Sequence, residues 1–166
     1  LVFIATNSAE QGANILKKIN EINKTKGSKP IAVVFNLGIN DMANISNYIS
    51  YMSDIASTLK SKNCKLFYMS VNPINSVMIT KAGKGARTEA QVREFNSKIR
   101  SGLSLNYKYI DTYSVLMKKG YGTNSSYSGT DAASDDGLHY TTKTFKRIYY
   151  YCITYLNTGS IDASIY

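Results

Sequence analysis

The sequence predicts an α/β fold, a three-layer α/β/α sandwich in which a parallel β-sheet lies between two layers of helices. Four short apolar runs alternate with four longer stretches in which apolar residues recur about every 3.6 positions. The two middle runs are apolar almost throughout, as is usual for strands that are buried on both faces. Regular alternation of strand and helix implies right-handed crossovers between parallel strands.

The strands are predicted at residues 1–6, 31–37, 65–71 and 107–111. Each of the intervening stretches places its apolar residues on one face of a helix, which can then pack on the sheet. These residues are Ile15, Leu16, Ile19 and Ile22; Ile45, Tyr48, Ile49, Met52, Ile55 and Leu59; Val92, Phe95, Ile99 and Leu103; and Phe145, Ile148, Tyr149, Cys152 and Leu156.

Two further segments are predicted to be irregular, because glycine, basic or small polar residues dominate them. They lie at residues 75–87 and 121–136. The last helix is predicted to end near Gly159, and a polar tail follows over residues 157–166.

Composition favours one domain, which we predict over residues 1–166. The chain is 43% hydrophobic and 19% charged, which is enough apolar material for a core. No apolar run approaches the roughly 20 residues that span a bilayer. Two cysteines, Cys64 and Cys152, are too few for a disulfide scaffold, and one histidine excludes a multi-histidine metal site.

The formal net charge of +9 first suggests an anionic partner. However, the basic residues are spread over several helices and loops, without an arginine-rich run or an aromatic RNA-binding signature. We therefore expect a solvated basic surface and no nucleic-acid partner.

Polar residues follow the second predicted strand, at the carboxyl edge of the sheet where such folds bind ligands. The sequence at residues 38–41 is Gly-Ile-Asn-Asp. Gly38 permits a tight turn, and the Asn40 amide could donate a hydrogen bond to an oxyanion. The alternative is that Asn40 and Asp41 only form a turn and cap the following helix.

The only histidine of the chain, His139, stands before the last predicted helix, in the sequence Asp-Gly-Leu-His at residues 136–139. Across a turn that contains glycine, the Asp136 carboxylate can bind the imidazole Nδ1–H and leave Nε2 as a general base. The alternative is that Asp136 only complements the dipole of the helix and that His139 has no role.

Together these two segments resemble the SGNH hydrolases, also called GDSL-type esterases and lipases. Residues 38–41 are similar to the third motif of that family and residues 136–139 to its fifth. Further similar stretches bring the resemblance to residues 1–156; they lie at 68–73, 95–96 and 109–112.

The resemblance implies a flavodoxin-like sandwich and a serine esterase that hydrolyses acyl or acetyl esters, for example on carbohydrates or lipids. It assigns His139 as general base, Asp136 as its orienting acid and Asn40 as a donor in the oxyanion hole. It implies no metal or organic cofactor.

The motif that carries the nucleophile in this family does not match. The family carries its serine in a Gly-Asp-Ser turn, which does not occur here. Ser8 stands where a strand ends and a helix begins, but it suits a helix cap equally well. Only one predicted helix separates it from residues 38–41, so we align residues 7–16 with the second motif and take Gly12 as its oxyanion-hole glycine. The chain then reads as part of a longer protein, with the first strand and its serine preceding Leu1.

Other interpretations of the nucleophile and of the function stay open. Ser8 could be the nucleophile, or the protein could have lost catalysis. A different function is a non-catalytic carbohydrate- or cell-wall-binding module. Its sugar-stacking residues would come from the tyrosines Tyr107, Tyr109, Tyr113, Tyr121 and Tyr127.

We expect a small-molecule or glycan ester as substrate, with residues 75–87 and 121–135 framing its pocket. An N-terminal segment or a second chain is expected to complete the sheet. The surface, rich in Lys, Asn, Ser and Tyr, is typical of a secreted or cell-surface bacterial protein.

Overall fold

The computed structural model describes residues 2–3, 9–25, 27–121 and 136–164, and gives only the secondary structure of residues 2–3 and 9–14. Strands and helices alternate as predicted along most of the chain. In order they are β1 (Val2–Phe3), α1 (Ala9–Asn23), β2 (Ile31–Phe35), α2 (Ile45–Lys60), β3 (Cys64–Met69), α3 (Ser76–Lys81), α4 (Glu89–Gly102), β4 (Lys108–Ile110), α5 (Thr112–Lys118) and α6 (Thr142–Thr158).

The four strands form one sheet in the order β1-β2-β3-β4. β2 runs parallel to both of its neighbours, with Val2 opposite Val33 and Phe35 opposite Tyr68. Val33, Val34 and Phe35 are all nearly inaccessible to solvent, as expected for a strand covered on both faces. Each strand lies within its predicted run, except that β3 begins one residue earlier.

The chain divides into two compact units. Unit 1 comprises Leu1–Met69 and Lys98–Tyr109, and unit 2 comprises Ser70–Ser97 and Ile110–Tyr166. Among the buried apolar residues of unit 1 are Ile19, Val34, Phe35, Met52, Leu59 and Tyr68; those of unit 2 include Ile74, Ile79, Val92, Phe95, Leu116, Tyr151 and Cys152. The single domain over residues 1–166 stays a prediction.

Two short helices were missed by the sequence analysis. The prediction of an irregular segment at residues 75–87 was wrong in its first half, because α3 begins there. The Asn75 side chain caps α3 by accepting from the N–H of Met78 at 3.1 Å. Asp111 caps α5 in the same way, accepting from the N–H of Ser114 at 3.0 Å. Helices of six and seven residues are too short to show a clear period in the sequence.

The last helix buries a different face from the one predicted. Ile148 and Cys152 are buried as expected, but Phe145 and Tyr149 are 50% and 49% exposed. Tyr151 takes part in the core instead. The helix ends at the predicted place, because Gly159 adopts a left-handed conformation and its N–H bonds to the Tyr155 carbonyl at 2.8 Å.

None of the helices in the described part of the chain is long and apolar enough to cross a membrane. Of the predicted irregular segment at 121–136, residues 122–135 lie outside the described residues.

Candidate active site

The turn at residues 136–139 in unit 2 brings Asp136 and His139 into direct contact. Oδ2 of Asp136 lies 2.5 Å from Nδ1 of His139. An ionised carboxylate can only accept hydrogen bonds, so Nδ1 is the protonated nitrogen and Nε2 is the basic one. The Asp136 side chain is 19% exposed and that of His139 is 69% exposed. The structure thus brings these two residues together, and their catalytic roles stay predictions.

The orientation of Asp136 is set by the turn that it precedes. Its second oxygen, Oδ1, accepts from the N–H of Leu138 at 2.9 Å and from the N–H of His139 at 3.0 Å. An Asp that bonds to the backbone two and three residues later is a common means of stabilising a turn. One carboxylate thus holds both the backbone and the ring of the histidine.

Gly137 allows this turn to approach the start of α3. It has a φ of +72°, and a Cβ built on it would lie 2.5 Å from the Asn75 carbonyl oxygen and 2.9 Å from Cβ of Met78. Only glycine has both the conformational freedom and the small size that this position requires. The contact is completed by the N–H of Asn75, which donates to the Gly137 carbonyl at 3.0 Å.

The segment that Gly137 contacts is itself fixed by buried side chains. The amide of Asn96 pairs with both backbone groups of Val71, at 2.8 and 2.9 Å. Glu89, which is 7% exposed, accepts from the N–H of Ile74 at 3.2 Å and from the hydroxyl of Tyr113. Hydrogen bonds of this kind rigidify a segment that has no ladder partners of its own.

The turn at residues 38–41 lies in unit 1 and is closed by backbone hydrogen bonds. Gly38 has a φ of +110°, as its predicted role in a tight turn requires. The N–H of Asp41 donates to the Gly38 carbonyl at 2.9 Å, and the N–H of Asn44 donates to the Asp41 carbonyl at 3.0 Å. Asn40 is exposed, and Asn44 caps α2 without a side-chain hydrogen bond.

Two tyrosines support the residue that precedes this turn. The buried hydroxyl of Tyr68 donates to the Leu37 carbonyl at 2.8 Å, and it lies 2.8 Å from the hydroxyl of Tyr48. Burial raises the pKa of both tyrosines well above the ordinary value, so both remain protonated donors at neutral pH. Burial also raises the pKa of Asp41.

The remaining predicted site residues lie near the start of the chain. Gly12 lies within α1, in unit 1 as Asn40 does. Ser8, the alternative nucleophile, lies outside the described residues, as does Asn7. The roles of Gly12 and Asn40 in an oxyanion hole stay predictions.

Several residues that shape the two turns were not found from the sequence. Tyr140, next to His139, is buried and donates to the carbonyl of Pro73. Asn75 and Tyr68 act through backbone groups far away in the sequence, so neither spacing nor composition could reveal them. The one available signal was the position of Tyr140 beside the only histidine. The described residues contain no cluster of three or more potential metal ligands.

A comparison with protein-family models identifies the family of the chain. The model for the GDSL-like lipases and acylhydrolases matches residues 2–151. The chain belongs to this family. The match confirms the predicted family and, with the parallel sheet and its helices, the predicted α/β sandwich. The family is one of hydrolases, whose substrates are small molecules. A search of curated proteins found no match to the chain.

Proposed function

We propose that this GDSL-family member hydrolyses carboxylic esters, with His139 as general base and Asp136 as the acid that orients it. The observation that carries the proposal is the 2.5 Å hydrogen bond between Asp136 Oδ2 and His139 Nδ1. It holds the imidazole in the tautomer in which Nε2 accepts a proton. The large exposed fraction of the His139 side chain supports a direct role on a bound substrate.

The reaction has two halves. A serine hydroxyl attacks the ester carbonyl carbon while its proton passes to Nε2 of His139, and the oxyanion accepts hydrogen bonds from the Asn40 amide and the Gly12 N–H. The C–O bond to the alcohol then breaks, and the alcohol takes the proton from Nε2. Water attacks the acyl-enzyme with His139 again as base, the carboxylic acid leaves, and the serine regains its proton.

The proposed nucleophile is a serine that precedes Leu1, and Ser8 is the alternative. Only α1 lies between Ser8 and β2, which is one helix and one strand fewer than the family spacing requires. A serine-directed phosphonate applied to the full-length protein, followed by peptide mass spectrometry, identifies the labelled residue. Label on an upstream serine supports the proposal, and label on Ser8 overturns this part of it.

The proposed pair is tested by Asp136→Asn. Asparagine can donate to Nδ1 and so favours the wrong tautomer, and we expect kcat for a p-nitrophenyl ester to fall by about 10⁴-fold with the fold intact. The matched control is Asp162→Asn, because Asp162 also holds a turn, accepting from the N–H of Ser164 at 2.9 Å. A full-length protein that hydrolyses no simple ester, or an Asp136→Asn variant as active as the control, would contradict the proposal.

The alternative of a carbohydrate- or wall-binding module gains little from the structure. Tyr107 and Tyr121 are 5% and 4% exposed, so neither ring can stack on a sugar. Tyr109 and Tyr113 are half-buried, with the Arg100 guanidinium over the Tyr109 ring and the Tyr113 hydroxyl bonded to Glu89, and Tyr127 lies outside the described residues. The proposed substrates remain acyl or acetyl esters, including those on carbohydrates or lipids.

A further inference from the structure

Gly137 and Tyr140, which lie on either side of the candidate general base His139, both form hydrogen bonds to residues 73–75. The N–H of Asn75 donates to the Gly137 carbonyl at 3.0 Å, and the hydroxyl of Tyr140 donates to the Pro73 carbonyl. These two hydrogen bonds lie on either side of His139. The backbone of the histidine is therefore held at both ends by residues 73–75.

Packing cannot orient the His139 ring, because most of its surface is exposed. Its direction is set by the Asp136 carboxylate and by the backbone from which both side chains project. Tyr140 is different: it is 7% exposed, and its ring lies 6.2 Å from that of Tyr121 and 6.1 Å from that of Phe145. A buried tyrosine thus anchors an exposed histidine.

The acceptor of the Tyr140 hydrogen bond is also held by its neighbours. Pro73 has a fixed φ, and the next residue donates its N–H to buried Glu89 at 3.2 Å. Asn75 is held from the other side by its cap on α3. Tyr140 therefore bonds to a carbonyl group whose position is fixed by other hydrogen bonds.

We propose that Tyr140 is a positioning residue for the Asp136–His139 pair, acting through its hydrogen bond to the Pro73 carbonyl. Its effect is on where the ring lies and which nitrogen carries the proton. The kinetic part of this inference rests on the proposed ester hydrolysis. The structural part does not.

Tyr140→Phe removes the hydroxyl alone. The control is Tyr107→Phe in unit 1, because the Tyr107 hydroxyl is also buried and donates to a backbone carbonyl, that of Met52, at 2.7 Å. We expect Tyr140→Phe to lower kcat by about tenfold with KM within twofold, and the control to leave both unchanged. A general loss of stability would affect both variants alike.

A second readout does not depend on activity. His139 is the only histidine of residues 1–166, so a long-range ¹H–¹⁵N spectrum at about pH 9, in which a His139→Gln variant identifies the signals of His139, reports the tautomer of this ring. The wild type and Tyr107→Phe should show the Nδ1–H form, and Tyr140→Phe should show a mixture with the Nε2–H form. Equal spectra for the two variants would overturn the inference, even if the wild type hydrolyses esters.

The two proposals fail in different ways. A wild type without esterase activity whose tautomer still responds to Tyr140→Phe contradicts the function and supports the positioning role. If Tyr140→Phe does not fold, ¹⁵N relaxation of the wild type tests whether the backbone of residues 137–140 is held in place. An anchored backbone should have order parameters of about 0.85 there. Values below about 0.6 would refute the anchor.

Discussion

The two turns that carry the candidate site residues are stabilised in different ways. The turn at 136–139 depends on side chains and on a close backbone approach: Asp136 binds three groups of the turn, and Gly137 packs against Asn75. The turn at 38–41 depends on its own backbone hydrogen bonds and on the strand end before it.

The difference fits the roles proposed for the two residues. A general base must keep one tautomer and one ring direction while it gains and loses a proton, so it needs a fixed carboxylate partner. An oxyanion donor keeps its protons throughout, and a correctly placed backbone is enough to aim its amide. Changes that move the backbone of the first turn should therefore affect both the fold of unit 2 and catalysis, whereas changes in the second should separate the two.

The largest loss of stability is expected for Gly137→Ala. The substitution forces alanine into a left-handed conformation and places its Cβ 2.5 Å from the Asn75 carbonyl oxygen. Strain and overpacking of this kind cost about 1–3 kcal/mol each, so we expect unfolding in urea to show a loss of roughly 4 kcal/mol. Esterase activity should fall with it, because the turn that holds His139 must move.

The control for this variant is Gly83→Ala. Gly83 has a similar φ of +66°, but an added Cβ would meet nothing within 4 Å. It should lose only the cost of backbone strain, about 1–2 kcal/mol in urea unfolding. Equal losses for the two variants would show that the approach to Asn75 contributes nothing.

Asn40→Ala should have its main effect on catalysis. Removal of one oxyanion donor typically lowers kcat by about 10²- to 10³-fold, and an exposed side chain on a turn closed by its backbone should leave the unfolding free energy within about 0.5 kcal/mol. Steady-state kinetics and urea unfolding measure the two quantities.

Asn44→Ala is the matched control, since Asn44 follows the same turn and its side chain makes no cap hydrogen bond. We expect its kcat to equal that of the wild type. If Asn40→Ala also keeps its kcat, Asn40 is only a turn residue, which is the alternative that the sequence left open.

The same contrast explains how much the sequence could predict. The order of strands and long helices follows from the period of the hydrophobic residues, and the Asp136–His139 pair follows from a spacing of three residues across a glycine. Both could therefore be predicted from the sequence. Tyr140 and Asn75 were not, because each bonds to a backbone group more than 60 positions away. The face of α6 was misassigned because tyrosine suits both core and surface, and only packing places Tyr151 inside and Tyr149 outside.

The smallest effect is expected for Tyr68→Phe, which tests how far the strand end supports the turn at 38–41. The variant loses the hydrogen bond to the Leu37 carbonyl and leaves the Tyr48 hydroxyl without that partner. One such bond contributes about 1 kcal/mol, so we expect a loss of about 1–2 kcal/mol in urea unfolding, against about 1 for Tyr107→Phe. The kcat should fall less than threefold, because the backbone hydrogen bonds that close the turn remain. A fall as large as that of Asn40→Ala would show that this turn, too, depends on side chains, and the contrast between the two turns would be lost.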